Sequence, residues 1–217
     1  MIIAIDGPAA AGKGTLAQNL AKYFNYAFLD TGRLYRAVGY AVIQKNQDPS
    51  NEAQAIECAK QFDPKNINSI LKNPALREEK TGNAASKVAV IPEVRKALLD
   101  LQRNFANNPF FEDGTKAKGA VLDGRDIGTV VCPNAEIKFY VTASAEVRAT
   151  RRFKELTDSG KKVSYDTILQ DIKERDFRDS NRSSAPLKPA EDAFILDTSH
   201  LDAKQAFDKA LELINQR

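Results

Sequence analysis

Residues 2–15 have the sequence IIAIDGPAAAGKGT, in which a short apolar run leads into a glycine-rich turn. The run at residues 2–5 is apolar and rich in isoleucine, which predicts a strand buried on both faces of a sheet. After the turn, Leu16, Leu20 and Phe24 recur at helical spacing. A glycine-rich turn between a buried strand and a helix is the setting of a phosphate-binding loop, or P-loop.

The turn also supplies the groups that a phosphate requires. Its glycines allow backbone N–H groups to converge on phosphate oxygens, and the helix that follows directs its positive end toward them. Lys13 adds a mobile ammonium for the outer phosphates of a nucleotide. A serine or threonine usually follows this lysine, but here Gly14 does, and the hydroxyl is displaced to Thr15. We therefore expect Mg²⁺ to be held mainly by phosphates and ordered water.

Outward from this loop, strands and helices continue to alternate. Further strands are predicted at residues 26–29, 120–122, 137–141 and 194–196. About five strands with helices between them predict an α/β fold with a parallel sheet. Residues 45–89 are less regular and are interpreted as an insert over the sheet. A polar stretch at residues 157–162, after an arginine-rich helix, suits a mobile lid.

Four sets of residues are candidates for binding a second anion, because they follow predicted strands or share helix faces. The sets are Thr31, Tyr35 and Arg36; Asp123, Arg125 and Asp126; Arg175, Arg178, Asp179 and Arg182; and Arg148, Arg151 and Arg152. Each set alone could be an amphipathic helix, a turn or a solvated charged face. Next to a P-loop, they favour phosphoryl transfer between two anions, since arginine grips phosphates in a forked geometry.

Composition excludes several other classes of protein. The 217 residues include 32 Lys and Arg against 29 Asp and Glu, a net charge of +3, which disfavours a protein that binds nucleic acid by bulk attraction. The single histidine, His200, argues against a histidine-based triad or a multi-histidine zinc site. Cys58 and Cys132 form no paired motif, which indicates a reducing, cytoplasmic compartment. With no apolar run of membrane length and no long apolar stripe, we expect no membrane contact and a monomer.

The chain resembles the bacterial cytidylate kinases, which belong to the P-loop nucleoside monophosphate kinases. The matching segments are residues 5–15, 29–36, 83–86, 92–98, 122–131 and 172–187. The resemblance extends over nearly the whole chain. It implies a P-loop kinase fold over residues 1–217, in which a five-stranded parallel sheet carries a monophosphate-binding insert at 45–89 and a helical lid at 148–182. The activity implied is transfer of a phosphoryl group from ATP, with Mg²⁺, to CMP and dCMP in pyrimidine nucleotide metabolism.

The resemblance also assigns roles to individual residues. ATP would be bound by the loop residues Gly7, Pro8, Ala9, Ala10, Ala11, Gly12, Lys13, Gly14 and Thr15, with Arg148 and Arg152 closing over it. CMP would be bound by Thr31, Tyr35, Arg36, Ser86, Arg95, Asp123, Arg125, Asp126, Arg175, Asp179 and Arg182. Within that set, Ser86, Arg95 and Asp126 would read the cytosine edge. The catalytic charges would come from Lys13, Arg125, Arg178 and Arg182, and Mg²⁺ would lie near Thr15 and Asp123, through water.

Three other functions stay open at this level. Another small-molecule P-loop kinase would use a different monophosphate acceptor, and Ser86, Arg95 and Asp126 distinguish the two. A nucleotide-dependent switch would bind nucleotide tightly and turn it over negligibly. RNA binding by the arginine sets is weakened by the low net charge and by the lack of an aromatic-rich stacking motif.

Overall fold

A computed structural model describes residues 1–62 and 70–216 of the chain. The strands found among these residues are β1 (Ile2–Asp6), β2 (Ala27–Asp30), β3 (Ala120–Gly124), β4 (Ile137–Thr142) and β5 (Phe194–Asp197). All of them pair in parallel, in the order β2-β3-β1-β4-β5. The predicted α/β fold with a five-stranded parallel sheet is confirmed, and β2 begins one residue later than the sequence pattern indicated.

Helices cover both faces of the sheet. They are α1 (Lys13–Phe24), α2 (Thr31–Gln44), α3 (Glu52–Lys60), α4 (Glu79–Val88), α5 (Pro92–Asn107), α6 (Ala145–Asp158), α7 (Tyr165–Asn181) and α8 (Ala203–Asn215), with a 3₁₀ turn at Pro74–Arg77 and a π-helical turn at Ile127–Val131. Two helices begin at side-chain caps, since Ser144 accepts a hydrogen bond from the Val147 N–H and Asp202 forms a capping box with Gln205. In the described part of the chain, no helix has the length and apolar character needed to span a bilayer.

Alternate residues of the central strand face two separate cores. Ile3 and Ile5 pack with the apolar faces of α1 and α8, whereas Ala4 packs with those of α2 and α5. A strand buried on both faces needs apolar residues at every position, which explains the unbroken run in β1. Helices α6 and α7 share a small core of their own, formed by Ala149, Leu156, Ile168 and Ile172.

The predicted insert contributes helices in its described part. Helix α4 crosses α2 so closely that a Cβ at Gly39 would lie 2.9 Å from the Ala84 backbone, and this position therefore requires glycine. The residues of the 45–89 segment that the structure describes add no strand to the sheet. Residues 63–69 of the insert lie outside the described residues.

The carboxyl ends of the strands meet at one edge of the sheet. The register pairs Asp6 with Gly124 and Asp30 with Asp123 at these ends. Because β1 lies between β3 and β4, the chain leaves the sheet in opposite directions around it, which is where open α/β sheets bind ligands. Gly7 follows β1 at φ 146°, and a Cβ there would lie 1.9 Å from the Val141 carbonyl oxygen, so only glycine fits where the P-loop begins.

Candidate active site

The P-loop wraps the amino end of α1 and presents a buried lysine. Lys13 Nζ donates a hydrogen bond to the Pro8 carbonyl oxygen at 2.8 Å and lies 3.8 Å from Asp123 Oδ1. Burial lowers the pKa of Lys13 to about 8, and repulsion from Arg125 acts in the same direction. An anion at the loop would favour the charged form of this lysine.

A cleft of about 520 Å³ opens above the P-loop. Its charged lining residues are Lys13, Asp30, Arg36, Asp123, Arg125, Arg151, Arg152, Glu155 and Arg175. The cations outnumber the carboxylates there, so the cleft is suited to anions. It brings together residues from the P-loop, α2, β3, α6 and α7.

One wall of the cleft carries oxygen donors beside the lysine. Burial raises the pKa of Asp123 to about 6, although the nearby Lys13 ammonium opposes this shift. The exposed Thr15 hydroxyl lines the same cleft. The described residues include no group of three or more acidic, histidine or cysteine side chains that could hold a metal. Hard oxygen donors in this small number fit a Mg²⁺ ion that takes most of its ligands from phosphates and water.

A second, narrower pocket adjoins the cleft. Its lining residues are Thr31, Gly32, Tyr35, Ala85, Ser86, Ala89, Arg95, Gly124, Arg125, Asp126, Arg175, Asp179 and Arg182. On its floor, Arg95 forms a buried ion pair with Asp126, and its guanidinium lies 5.5 Å from the centre of the Tyr35 ring. Arg182 Nη2 approaches the other Asp126 oxygen at 3.8 Å. The pocket therefore offers a carboxylate, guanidinium groups and an aromatic plate at close range.

Three buried polar atoms in this pocket have no hydrogen-bond partner among the residues that the structure describes. They are Ser86 Oγ, Arg175 Nε and Arg182 Nη2. Buried donors and acceptors in native proteins are nearly always satisfied, and leaving one unpaired costs about 1–3 kcal/mol. Three such atoms on one pocket indicate a polar ligand that pairs with them.

Asp179 holds the arginines on the side of the pocket nearest the cleft. Its Oδ2 accepts from Arg125 Nε at 3.0 Å and lies 4.0 Å from Arg175 Nε. Burial alone would raise the pKa of Asp179, but Arg125 and Arg175 outweigh it and keep this pKa below its usual value. Burial lowers the pKa of Arg175 to about 10, and the charge of Arg125 adds to that effect. One carboxylate thus serves several guanidinium groups, and the excess of positive charge favours an anion.

Arg36 connects this region to the insert. It extends from α2, and its Nη1 donates to the carbonyl oxygens of Leu76 at 2.8 Å and Glu78 at 3.1 Å. A Cβ at Gly82 would lie 2.8 Å from Arg36 Nη2, so α4 packs directly over the guanidinium. The same side chain lines the cleft, and Arg36 therefore lies between the insert and the P-loop.

Two of the arginines predicted from helical spacing have surroundings that spacing did not indicate. Arg182 follows the last residue of α7 instead of sharing its face, yet it still reaches the pocket. Arg148 is buried: its guanidinium makes a bidentate pair with Asp176 at 3.0 and 2.5 Å, and Nη1 also donates to the Ala9 carbonyl at 3.2 Å. Arg148 is thus bonded to the back of the P-loop, whereas Arg152 lines the open cleft and pairs with Glu155.

Arg178 lies in a neighbouring groove between α4 and α7, with Glu79, Asn83 and Asp171. Arg36, Arg152 and Arg175 line both this groove and the cleft. The groove is therefore continuous with the cleft, but Arg178 lines only the groove and not the cleft that contains Lys13.

Sequence reasoning missed a further cavity, of about 210 Å³, on the other side of the P-loop. It is lined mainly by apolar groups of α1, β4 and α8, with Arg151 and Thr198 among them. Arg151 donates to Thr198 Oγ1 at 3.0 Å and to the Thr198 and Leu201 carbonyls at 2.6 and 3.2 Å. Arg151 belonged to a recognised arginine set, but the loop after β5 carried no motif to pair with it.

The sequence motifs assign no role to Asp6 or Asp30. Each ends a strand at the ligand-binding edge, which was the signal available in the sequence. Asp30 caps α2 by accepting from the Arg33 N–H at 3.3 Å, and it lines the cleft. Asp6 is buried, and burial raises its pKa to about 7, against the effect of the backbone N–H groups of Gly128 and Ile127.

Comparison with known proteins finds relatives that match this chain over nearly its full length. The family model described as cytidylate kinase matches residues 3–216. A cytidylate kinase of Rhodospirillum rubrum is 55% identical over 99% of this chain and 97% of its own length. One from Paramagnetospirillum magneticum is 54% identical over 100% of this chain and 98% of its own length.

Solved structures of much lower sequence identity share the fold. A shikimate kinase from Bacteroides thetaiotaomicron has a TM-score of 0.50 at 11% identity, covering 100% of this chain and 97% of the other. A structure of an uncharacterized protein from Eubacterium ventriosum has a TM-score of 0.57 at 16% identity, covering 100% of this chain and 99% of the other. These likenesses concern the fold alone.

Proposed function

The chain belongs to the cytidylate kinase family, and from this premise we propose that it transfers the γ-phosphoryl group of ATP to CMP, giving ADP and CDP. The observation that supports the site most strongly is the pocket beside the P-loop, in which three buried polar atoms lack a hydrogen-bond partner among the described residues. A second polar ligand, bound next to the nucleotide phosphates, would satisfy them.

ATP binds with its triphosphate in the P-loop, residues 7–15. Backbone N–H groups and the positive end of α1 face the phosphates, and Lys13 is released from the Pro8 carbonyl to meet them. Arg152 contacts the triphosphate from the side of α6, and Arg148 keeps the Ala9 carbonyl in place behind the loop. The adenine lies in the largely apolar cavity beside Arg151 and Thr198.

CMP binds in the narrower pocket, with its base toward the ion pair of Arg95 and Asp126. A carboxylate oxygen of Asp126 accepts from the exocyclic amine of cytosine, and Arg95 and Ser86 donate to the ring acceptors. Uracil has a carbonyl in place of that amine and would face Asp126 with like partial charge, so it is disfavoured. Tyr35 and Thr31 pack against the acceptor.

The acceptor phosphate is gripped at the boundary between pocket and cleft. The guanidinium groups of Arg36, Arg125 and Arg182 donate hydrogen bonds to the phosphate oxygens. Arg175 and Asp179 lie beside the sugar. With a second pKa of about 6, this phosphate is largely a dianion at neutral pH and attacks without a base. The absence of a catalytic histidine is consistent with this chemistry.

During transfer, an oxygen of the CMP phosphate forms a bond to the γ-phosphorus while the bond to the bridging oxygen of ADP breaks. Charge accumulates on the equatorial and leaving oxygens. Lys13, Arg125, Arg178 and Arg182 neutralise it from fixed positions, which is the main protein contribution in such a reaction. Arg178 comes from the neighbouring groove, so it takes part as the cleft closes.

Mg²⁺ fits beside Thr15 and Asp123, where hard oxygen donors line the cleft. When bound there with ATP, it supplies charge neutralisation and orientation of the phosphates. Thr15 and Asp123 would hold it through water.

Several finer features belong to the same proposal. dCMP is a second acceptor, giving dCDP. The 45–89 insert and the 148–182 segment act as the monophosphate-binding part and the lid of one domain spanning residues 1–217. The protein acts as a monomer in the cytoplasm, in keeping with the two buried free thiols, Cys58 and Cys132.

An acceptor panel tests this function. We expect ADP release from ATP to depend on the added monophosphate, with CMP and dCMP well ahead of UMP, and AMP and GMP near background. A coupled ADP assay on the purified protein measures this, with ATP alone as the control. A different preferred acceptor would point to another P-loop kinase. Tight ATP binding, with slow ADP release that no added monophosphate increases, would point to a nucleotide-dependent switch.

A further inference from the structure

We propose that Asp6 is a positioning residue for acceptor selection, acting by fixing the backbone turn that carries Asp126. This inference rests on the proposed function, since Asp126 is the residue assigned to the cytosine amine. Asp6 is the last residue of β1 and immediately precedes the P-loop. It would therefore link the place where ATP binds to the place where CMP is recognised.

The side chain of Asp6 contacts the backbone of the segment that follows β3. Its side chain is buried, with 4% of the residue exposed. Oδ1 accepts from the Ile127 N–H and Oδ2 accepts from the Gly128 N–H, both at 2.7 Å. These two N–H groups favour the charged form of Asp6 against the effect of its burial, and amide hydrogen bonds to an ionised carboxylate are among the stronger ones in proteins. Both carboxylate oxygens are thus committed to the first two residues of the π-helical turn.

That turn, Ile127–Val131, is fixed at both ends. At its amino end, the Asp126 carbonyl oxygen accepts from the Val130 and Val131 N–H groups at 2.9 and 3.1 Å. At its carboxyl end, Arg103 donates to the carbonyls of Val130 and Val131 at 3.0 and 3.2 Å. A carboxylate at the amino end and a guanidinium at the carboxyl end match the dipole of a helical turn. The backbone of Asp126, which directly precedes the turn, is therefore held in one position.

The packing leaves the turn little freedom to move away from Asp6. A Cβ at Gly128 would lie 3.2 Å from Lys138 Cδ and 3.4 Å from Asp6 Oδ2. The lysine stem and the carboxylate thus enclose this glycine closely. On its other side, Asp6 is followed by Gly7, which is pressed against the Val141 carbonyl. The position of Asp6 is therefore set by β1 and the P-loop, and the position of the turn is set by Asp6.

Selection of the acceptor base depends on how accurately the Asp126 carboxylate is placed. This carboxylate pairs with Arg95 and approaches Arg182, and all three are buried. A displacement of the turn would separate charges that have little solvent to screen them. Misplacement by about 1 Å can cost an enzyme on the order of 100-fold in rate. The loss should fall on the acceptor and on discrimination between bases, because the P-loop contacts to ATP come from other residues.

The substitution Asp6→Asn tests this role. Its amide can accept only one of the two N–H groups and turns its own NH₂ toward the other. We expect kcat/KM for CMP to fall about 10- to 100-fold, the ratio of CMP to UMP use to fall by about 10-fold, and KM for ATP to stay within about twofold. Steady-state kinetics with each nucleotide varied in turn measure these quantities. A control for general loss of stability is Phe207→Leu, which alters a ring that packs 5.7 Å from Tyr23 on the outer face of α1.

A second variant covers the case in which Asp6→Asn does not fold. Gly128→Ala keeps the carboxylate and requires the turn to shift by a few tenths of an ångström, so it should change the CMP-to-UMP ratio in the same direction. Equal losses with CMP and ATP, or an unchanged ratio in the folded variant, would overturn the positioning role while leaving CMP kinase activity of the wild type intact. A wild type that phosphorylated no CMP would overturn the proposed function itself, and this role with it.

Discussion

Replacing Lys13 by alanine should lower kcat for ADP and CDP formation by about 100- to 1,000-fold while the protein stays folded. The reason is electrostatic: one preorganised cation beside the transferring group contributes that much to the transition state. Lys13 is buried at the P-loop, with its ammonium between the Pro8 carbonyl and Asp123. Burial lowers the pKa of Lys13 to about 8 even though Asp123 opposes the shift, so phosphate oxygens at the loop would further favour its charged form.

The matched measurement uses Lys45→Ala, which removes a lysine paired with Glu57 at 3.1 Å on the surface. This variant should keep wild-type turnover, because Lys45 does not line the cleft. Circular dichroism and thermal unfolding establish that both variants are folded. If folded Lys13→Ala turned over like the wild type, the P-loop would not be the donor site described above.

Asp126→Ala should produce the second large effect, a fall of about 100- to 1,000-fold in kcat/KM for CMP with KM for ATP within about twofold. Sites built to hydrogen-bond a polar substrate group discriminate strongly, since their own buried groups are left unpaired otherwise. Removing Asp126 also leaves the buried Arg95 without its ion-pair partner and Arg182 without its nearest carboxylate. Breaking a buried pair in this way is costly, typically about 3–5 kcal/mol.

The control is another arginine–aspartate pair of similar type. Asp176→Ala removes the carboxylate that holds Arg148 in a bidentate pair, at the back of the P-loop. We expect it to reduce stability without changing the ratio of CMP to UMP use. If Asp126→Ala impaired CMP and ATP to the same extent, as a general structural loss would, Asp126 would not be the group that reads the base.

The parts of the site that depend on local sequence could be predicted from the sequence. The P-loop is one continuous stretch whose glycines and lysine lie between the end of β1 at Asp6 and the first turn of α1, so its geometry follows from short-range rules. The caps Ser144 and Asp202 obey the same short-range rules, because each acts on the amide three residues away. Short apolar runs were sufficient to find the five strands, even though β5 is partly exposed and β4 includes the buried Lys138.

The pairing of the charged residues could not be predicted without the structure. Arg95 and Asp126 are 31 positions apart, and Arg125 and Asp179 are 54 apart, so no spacing rule relates them. Arg148 illustrates the difficulty: helical spacing grouped it with Arg152, but packing turned it inward to bond the P-loop backbone. The resemblance to a family suggested roles for such residues, and the structure shows which side chains and backbone groups they contact.

Asp6 is the clearest case of a residue that only the tertiary structure explains. In the sequence it is simply the last residue before the glycine-rich turn. Its two acceptors reach backbone amides more than 120 positions away, at the start of another turn. A carboxylate whose partners are main-chain groups leaves no complementary side chain in the sequence to reveal it.

The central claim is that two phosphates meet over the carboxyl edge of the sheet, one on the P-loop and the other among arginines. A crystal structure with a non-hydrolysable ATP analogue and CMP tests it directly. We expect the triphosphate at Lys13, the CMP phosphate within hydrogen-bond distance of Arg36, Arg125 and Arg182, and the cytosine amine at Asp126. A CMP molecule bound elsewhere, with those three arginines unliganded, would contradict the account.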